Sequence, residues 1–141
     1  MVLAVLEARC GVSFAGKDVY LNVAGGLRIN EPAADLAVAA AIASSAFDMP
    51  LPPDSVVFGE ISLSGDVRPV GRSDARLKEA AKLGFKQAIS AKPSKSSTKN
   101  YNAALPIIAI KALPELIRRV EASADHGLDD DSAWGTAHKA A

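Results

Sequence analysis

Gly59-Glu60-Ile61-Ser62-Leu63-Ser64-Gly65-Asp66-Val67-Arg68-Pro69-Val70-Gly71 is the stretch whose pattern decides the fold. Ile61 and Leu63 alternate with polar residues, Ser64-Gly65-Asp66 has turn chemistry, and Val67 to Val70 resumes an apolar pattern, so a β-hairpin is expected. Pro69 has no N–H to donate, which puts its own strand at a sheet edge. Just upstream, Pro50, Pro52 and Pro53 break the chain before Val56-Val57-Phe58, a further strand. Just downstream, Ser73 or Asp74 is expected to cap a helix with Ala75, Leu77, Ala80, Ala81 and Leu83 on its apolar side, closed by Gly84.

Toward the N-terminus, residues 2–9 carry Val2, Leu3, Val5, Leu6 and Arg9 at helical spacing, and Gly11 is expected to end that helix. Because this helix starts without a capping residue, Met1 is expected to be an internal methionine or an artificial start. Val12 and Phe14, then Val19, Leu21 and Val23, flank Ala15-Gly16-Lys17-Asp18 and predict a second hairpin. After Gly25-Gly26, Asn30 is expected to cap a helix whose first turn tolerates Pro32. From Ala33 to Phe47 that helix is apolar on nearly every face, so it must be central and buried.

Toward the C-terminus, short strands are expected around Gln87 to Ala91 and Pro106 to Ile110, separated by the polar loop of residues 92–100. A final helix is expected from Leu113 or Pro114 to Val120. Residues 122–141, with Asp129-Asp130-Asp131, offer little to bury and are expected to form an acidic, disordered tail after one domain of residues 1–121. Strands interleaved with helices give an α/β or α+β layered domain, helices covering a mixed sheet with hairpins. There is no internal repeat.

A chain of 141 residues with 49% hydrophobic and 23% charged content is long and apolar enough for one core, which excludes a disordered protein. No apolar run approaches the roughly 20 residues of a membrane-spanning helix, and Glu7 and Arg9 interrupt any secretion signal, so a cytoplasmic protein with no membrane partner is expected. The lone Cys10 fits a core role. Met1–Lys78 holds nine acids and seven bases, Glu79–Arg119 two and eight, and Val120–Ala141 five and one, which are net charges of −2, +6 and −4. The basic middle segment fits either contact with a polyanion or lysines solvated in polar loops. No phosphate-cradling G-x-x-x-x-G-K-[ST] loop occurs, so ATP hydrolysis is not expected. His126 and His138 lack Cys or carboxylate partners at ligand spacing, so no metal site, zinc included, is expected in this segment.

The Gly59–Gly71 stretch is similar to the Lon protease signature G-E-[IV]-[ST]-L-x-G-x-V-x-P-[IV]-G, which precedes that family's catalytic lysine. Asn30-Glu31-Pro32-Ala33-Ala34-Asp35-Leu36-Ala37 takes the place of its G-P-S-A-G segment. By this resemblance Ala33 stands where the nucleophilic serine would be and Asp74 where the lysine would be, with Arg76 and Lys78 nearby but offset around the helix. A Ser–Lys dyad needs a desolvated lysine to take the serine proton, and a methyl group cannot attack, so no peptidase activity is expected.

Leu6 to Gly11, Lys17 to Ile29 and Glu31 to Ala37 resemble the RadA/Sms branch of the Lon-like group, over about residues 1–120. In that branch a zinc finger and a RecA-like ATPase precede this domain within a hexameric motor that drives branch migration of recombination intermediates. The resemblance therefore implies ATP, magnesium and zinc only in those preceding domains, and no cofactor in this fragment. It also implies a homo-oligomer, DNA bound irrespective of sequence, and the recombinase RecA as a partner of the longer protein. Lys82, Lys86, Lys92, Lys95 and Lys99 are the candidate phosphate contacts. With Tyr101 but no series of aromatics for stacking, such binding should be salt-sensitive. Assembly would use the apolar face of the first helix or the Val67 to Val70 edge. Two other readings stand beside this one. The first is a residual peptidase using Ser44, Ser45 or Ser73. The second is the related Lon-like domain of magnesium-chelatase-like AAA+ proteins, in which an ATPase segment rather than an acidic tail should follow.

Overall fold

Three parallel strands carry the architecture, and their residue rows show why both faces are covered. The computed structural model describes residues 1–93, 103–126 and 134–135. Strands β1 (Ser55–Phe58), β4 (Gln87–Ser90) and β5 (Ile107–Ala109) pair in the order β1-β4-β5, all parallel. Successive side chains in a strand point to opposite faces. The row Val56, Ala88 and Ile107 therefore meets helix α3 (Ser73–Lys82) in a cluster with Phe58, Leu77, Ala80 and Leu105. The alternate row Val57, Ile89 and Ile108 faces helices α1 (Val2–Cys10), α2 (Asp35–Phe47) and α4 (Leu113–His126). Parallel strands need both faces covered, and these short strands are apolar on both.

Each helix is held by an apolar stripe. Leu113, Leu116, Ile117 and Val120 recur at the spacing of one helix face and are all buried on α4. On α2, Leu36, Ala39, Ala40 and Ala43 are nearly inaccessible. The alanines keep that helix slim enough to sit between α1, which buries Val5 and Leu6, and α4. Gly11 ends α1 in the left-handed region at φ 67, as its position in the sequence predicts.

The quoted stretch forms its hairpin: β2 (Glu60–Ile61) pairs antiparallel with β3 (Val67–Arg68). The sheet itself differs from expectation. The hairpin is not part of one mixed sheet but a separate two-stranded layer beside the parallel one. It is tied to the start of α4, where Val67 N donates to Lys111 O (2.8 Å) and Leu113 N to Gly65 O (2.8 Å).

Other expectations also need correction. Residues 12–23 contain no strand; Lys17 N closes a turn onto Phe14 O (3.0 Å), and the apolar residues beyond it stay exposed. A two-stranded hairpin is marginal without a third element to pack on; Val12 and Phe14 rest against the core, but Val19, Leu21 and Val23 of the expected second strand are exposed. Neither Asn30 nor Ser73 nor Asp74 caps a helix. Pro32–Ala34 form a 3₁₀ turn before α2 begins at Asp35, and Arg72, at φ 59, precedes α3 without a side-chain cap. Ser73 instead donates its hydroxyl back to Val70 O (2.7 Å). Helix α4 runs past Val120 to His126. Beyond it Trp134 is buried in the core, its indole N–H donating to Ser123 Oγ (2.8 Å) while Arg119 donates to its carbonyl (2.6 Å). Among the described residues no helix is long and apolar enough to cross a membrane.

Candidate functional site

Three segments converge around Ala33. The 3₁₀ turn buries the Ala33 methyl, while its carbonyl accepts from Gly59 N (2.8 Å) and the Gly59 carbonyl accepts from Leu36 N (3.0 Å). This reciprocal pair brings strand backbone directly against the start of α2. Glycine suits this close approach: a Cβ at position 59 would lie 3.1 Å from both Leu36 Cδ2 and Val67 Cγ1, so those side chains would have to shift to admit one. Asp35 strengthens the same junction, accepting from Ile61 N (3.3 Å) while its charge sits in the first turn of α2.

Asp74 lies in the first turn of α3 and is exposed, so the two positions singled out by the Lon resemblance differ in environment. The elements that carry them are linked through their neighbours, Arg76 of α3 forming an ion pair with Glu31 just before the 3₁₀ turn. Sequence reasoning placed Arg76 near Asp74 but gave it no partner; Glu31 is 45 residues away, and no local pattern announces such a pair. The Ala33 side chain is a methyl without nucleophilic chemistry. The serine hydroxyls considered as substitutes serve the backbone: Ser44 donates to Met49 O and Ser73 to Val70 O, while Ser45 is exposed.

The five candidate lysines are treated unequally. Lys82 is paired with Glu79 (3.5 Å) and Lys86 with Asp54 (3.0 Å), both on the surface, where such pairs are weak enough to yield to a stronger polyanion. Lys92 is exposed just after β4. Lys95 and Lys99, with Tyr101, lie outside the described residues. Lys78, not among the five, is exposed on α3 one turn before Lys82. Their i, i+4 spacing was the available signal that the two ammonium groups share a face.

Among the described residues two titrating groups depart from ordinary values, both away from this region. Burial pushes the Cys10 thiol up, which keeps it protonated and unreactive. Burial also pushes Glu115 up, but the Lys111 backbone N–H (2.9 Å) and the Arg119 guanidinium (3.0 Å) outweigh it, so the carboxyl is held below its usual range. Among the described residues no group of three His, Cys, Asp or Glu is placed to hold a metal ion.

A parallel α/β layer flanked by four helices, with a hairpin pinned by Gly59 to a helix start that carries a methyl, defines a mixed α/β domain. The chain belongs to the family described as subunit ChlI of Mg-chelatase, whose model matches residues 1–94. It is also similar to proteins named DNA repair protein RadA. The one from Brucella abortus is 58% identical over 123 residues, 87% of this chain and 26% of the relative. The one from Rickettsia prowazekii is 47% identical over 118 residues, 84% of this chain and 26% of the relative. The one from Pseudomonas aeruginosa is 47% identical over 117 residues, 83% of this chain and 25% of the relative. The chain thus spans about a quarter of the length of the curated relatives it matches.

Proposed function

We propose that this chain is a non-catalytic, Lon-protease-like domain of a DNA repair and recombination ATPase, serving as an oligomerisation scaffold and a DNA-contacting module in branch migration. The names of its relatives support a role in DNA repair, at identities of 46–58% over most of the chain. The observation that carries the absence of peptidase chemistry is the buried methyl of Ala33, at the place where the Lon resemblance puts the attacking hydroxyl. A carboxylate at Asp74 would not replace the lysine of a Ser–Lys dyad, because an ionised carboxylate lacks the ammonium that dyad cycles through. On this reading ATP, magnesium and zinc belong to other parts of the longer protein. Its assembly as a hexamer and any partnership with RecA likewise concern that protein, within the cytoplasm.

DNA contact rests on Lys78, Lys82, Lys86 and Lys92, exposed in succession from α3 to the end of β4. Such groups neutralise phosphates without reading bases, so binding should be independent of sequence and weaken steeply with salt. Replacing Lys82, Lys86 and Lys92 together by glutamate is expected to abolish retention of a single-stranded oligonucleotide at low salt while leaving the thermal midpoint nearly unchanged. Retention equal to that of the unaltered chain would remove the DNA role. The family description favours a second reading, a domain of a magnesium-chelatase-like protein. On that reading the triple substitution leaves oligonucleotide retention unaffected because there is none to lose.

A further inference from the structure

Helix α3 ends in a turn that is fixed in place and apolar at its tip. Gly84 N donates to Ala81 O (3.2 Å) and Phe85 N to Ala80 O (3.1 Å), with Gly84 at φ 93, the pair of bonds by which a left-handed residue closes a helix. Leu83 N is bonded to Glu79 O (3.0 Å) and Lys86 N to Asp54 O (2.8 Å), so each amide from Leu83 to Lys86 has a backbone partner. On this rigid turn Leu83 is 70% exposed and Phe85 36%. Such a closure folds the residue after the glycine back onto its helix, which accounts for the covered part of the Phe85 ring. It gives Leu83 nothing to cover it. Lys82 and Lys86 stand immediately on either side, and their carboxylate partners Glu79 and Asp54 are themselves exposed.

Two amines able to neutralise phosphates thus bracket two apolar side chains. A duplex keeps the faces of its bases stacked inside and offers such a turn mainly sugars and phosphates, whereas a single strand can lay its bases on apolar and aromatic surface. We propose that Leu83 and Phe85 form a base-stacking platform between the phosphate contacts of Lys82 and Lys86, so that this face takes unpaired nucleotides in preference to duplex. The inference rests on the DNA contact proposed above and adds to it the side chains that meet the bases. Every base has a π face, so the platform is indifferent to sequence. Because the turn is fixed before binding, seating a base costs little ordering of the protein. An anionic membrane also pairs amines with an apolar interior, but one leucine and part of one ring bury less than a myristoyl chain, which by itself anchors a protein only marginally.

Fluorescence anisotropy of a labelled oligonucleotide, single-stranded or annealed to its complement, tests this on the 141-residue chain. Phe85→Leu keeps apolar bulk and removes the π face, and should weaken single-strand binding about fivefold, the low end for one stacked base. Leu83→Ser should weaken it about threefold, in keeping with a smaller apolar contact. Neither should alter duplex binding, nor the slope of log affinity against log salt, because no phosphate contact is lost; Lys82→Gln should instead make that slope shallower by about 0.7. Phe85→Tyr retains the ring and should bind as the unaltered chain does. Binding of neither DNA at low salt removes the DNA contact itself and this inference with it. Variants at 83 and 85 that bind single strand as tightly as the unaltered chain overturn the platform while the lysine contact stands. If Phe85→Leu unfolds the chain, Leu83→Ser decides, and unchanged single-strand affinity there is fatal. A loss confined to vesicles containing phosphatidylserine overturns the inference in favour of a membrane surface.

Discussion

Two stretches of this chain carry nearly the same message in their residues and have different fates. Val12 to Val23 and Ile61 to Val70 both alternate apolar and polar residues around a glycine-containing turn. Only the second becomes a hairpin. Its strands are just two residues each, so its own ladder cannot be what holds it. What holds it is external: Lys111 and Leu113 bond to its backbone, Asp35 accepts from Ile61 N, and Ile61 and Val67 enter the core shared by α1, α2 and α4. The first stretch has Phe14 N bonded to Glu7 and Val12 and Phe14 resting against the core, while Val19, Leu21 and Val23 stay exposed. A hairpin pattern states a capacity, and a tertiary partner decides whether it is used.

The contrast breaks most readily at Ile61, which is 2% exposed. Truncating a buried isoleucine removes its transfer free energy and leaves a cavity, about 2–5 kcal/mol in total. Ile61→Ala should lower the urea midpoint by that equivalent, and a loss below about 0.5 kcal/mol would show that the hairpin is as loosely held as residues 12–23. Gly65 comes next. It turns the hairpin at φ 90, a conformation costly for a residue with a Cβ, and the added atom would lie 3.4 Å from Arg9 Cβ. Gly65→Ala is expected to destabilise by about 1–2 kcal/mol, measured by the same unfolding curve, because left-handed backbone penalises L-residues by roughly that amount. Gly16→Ala makes the matching change in the other turn, at φ 72 with nothing within 4 Å, so it carries the backbone strain of Gly65→Ala without the contact with Arg9.

Much of the fold was legible because it rests on local signals with strong physical causes. The α1 period with Gly11, the β1, β4 and β5 segments and the apolar run of α2 all appear within a residue or two of their expected places. What escaped was set at a distance. Asn30, Ser73 and Asp74 have the right chemistry for caps, yet a 3₁₀ turn and the left-handed Arg72 displaced them, and neither follows from residue type. Trp134 looked like part of an unburied tail because its partners, Arg119 and Ser123, lie on a helix whose apolar stripe had already ended in the sequence pattern at Val120. Of the candidate site, Ala33 is expected inside the helix but lies in the 3₁₀ turn that precedes it, and its hydrogen bond with Gly59 is not readable from either segment alone. Lys82 and Lys86 stand out in the sequence as candidate phosphate contacts, but their carboxylate partners Glu79 and Asp54 do not.

The smallest expected effect sharpens the comparison furthest. Leu21 is 56% exposed, so Leu21→Ser in this chain removes almost no buried contact. Surface changes of that sort move stability by no more than about 0.5 kcal/mol in either direction, and the unfolding midpoint should stay within that window. If it lowers the midpoint substantially, Val19 to Val23 are packed against the described core, and the difference between the two hairpin-like stretches is one of degree.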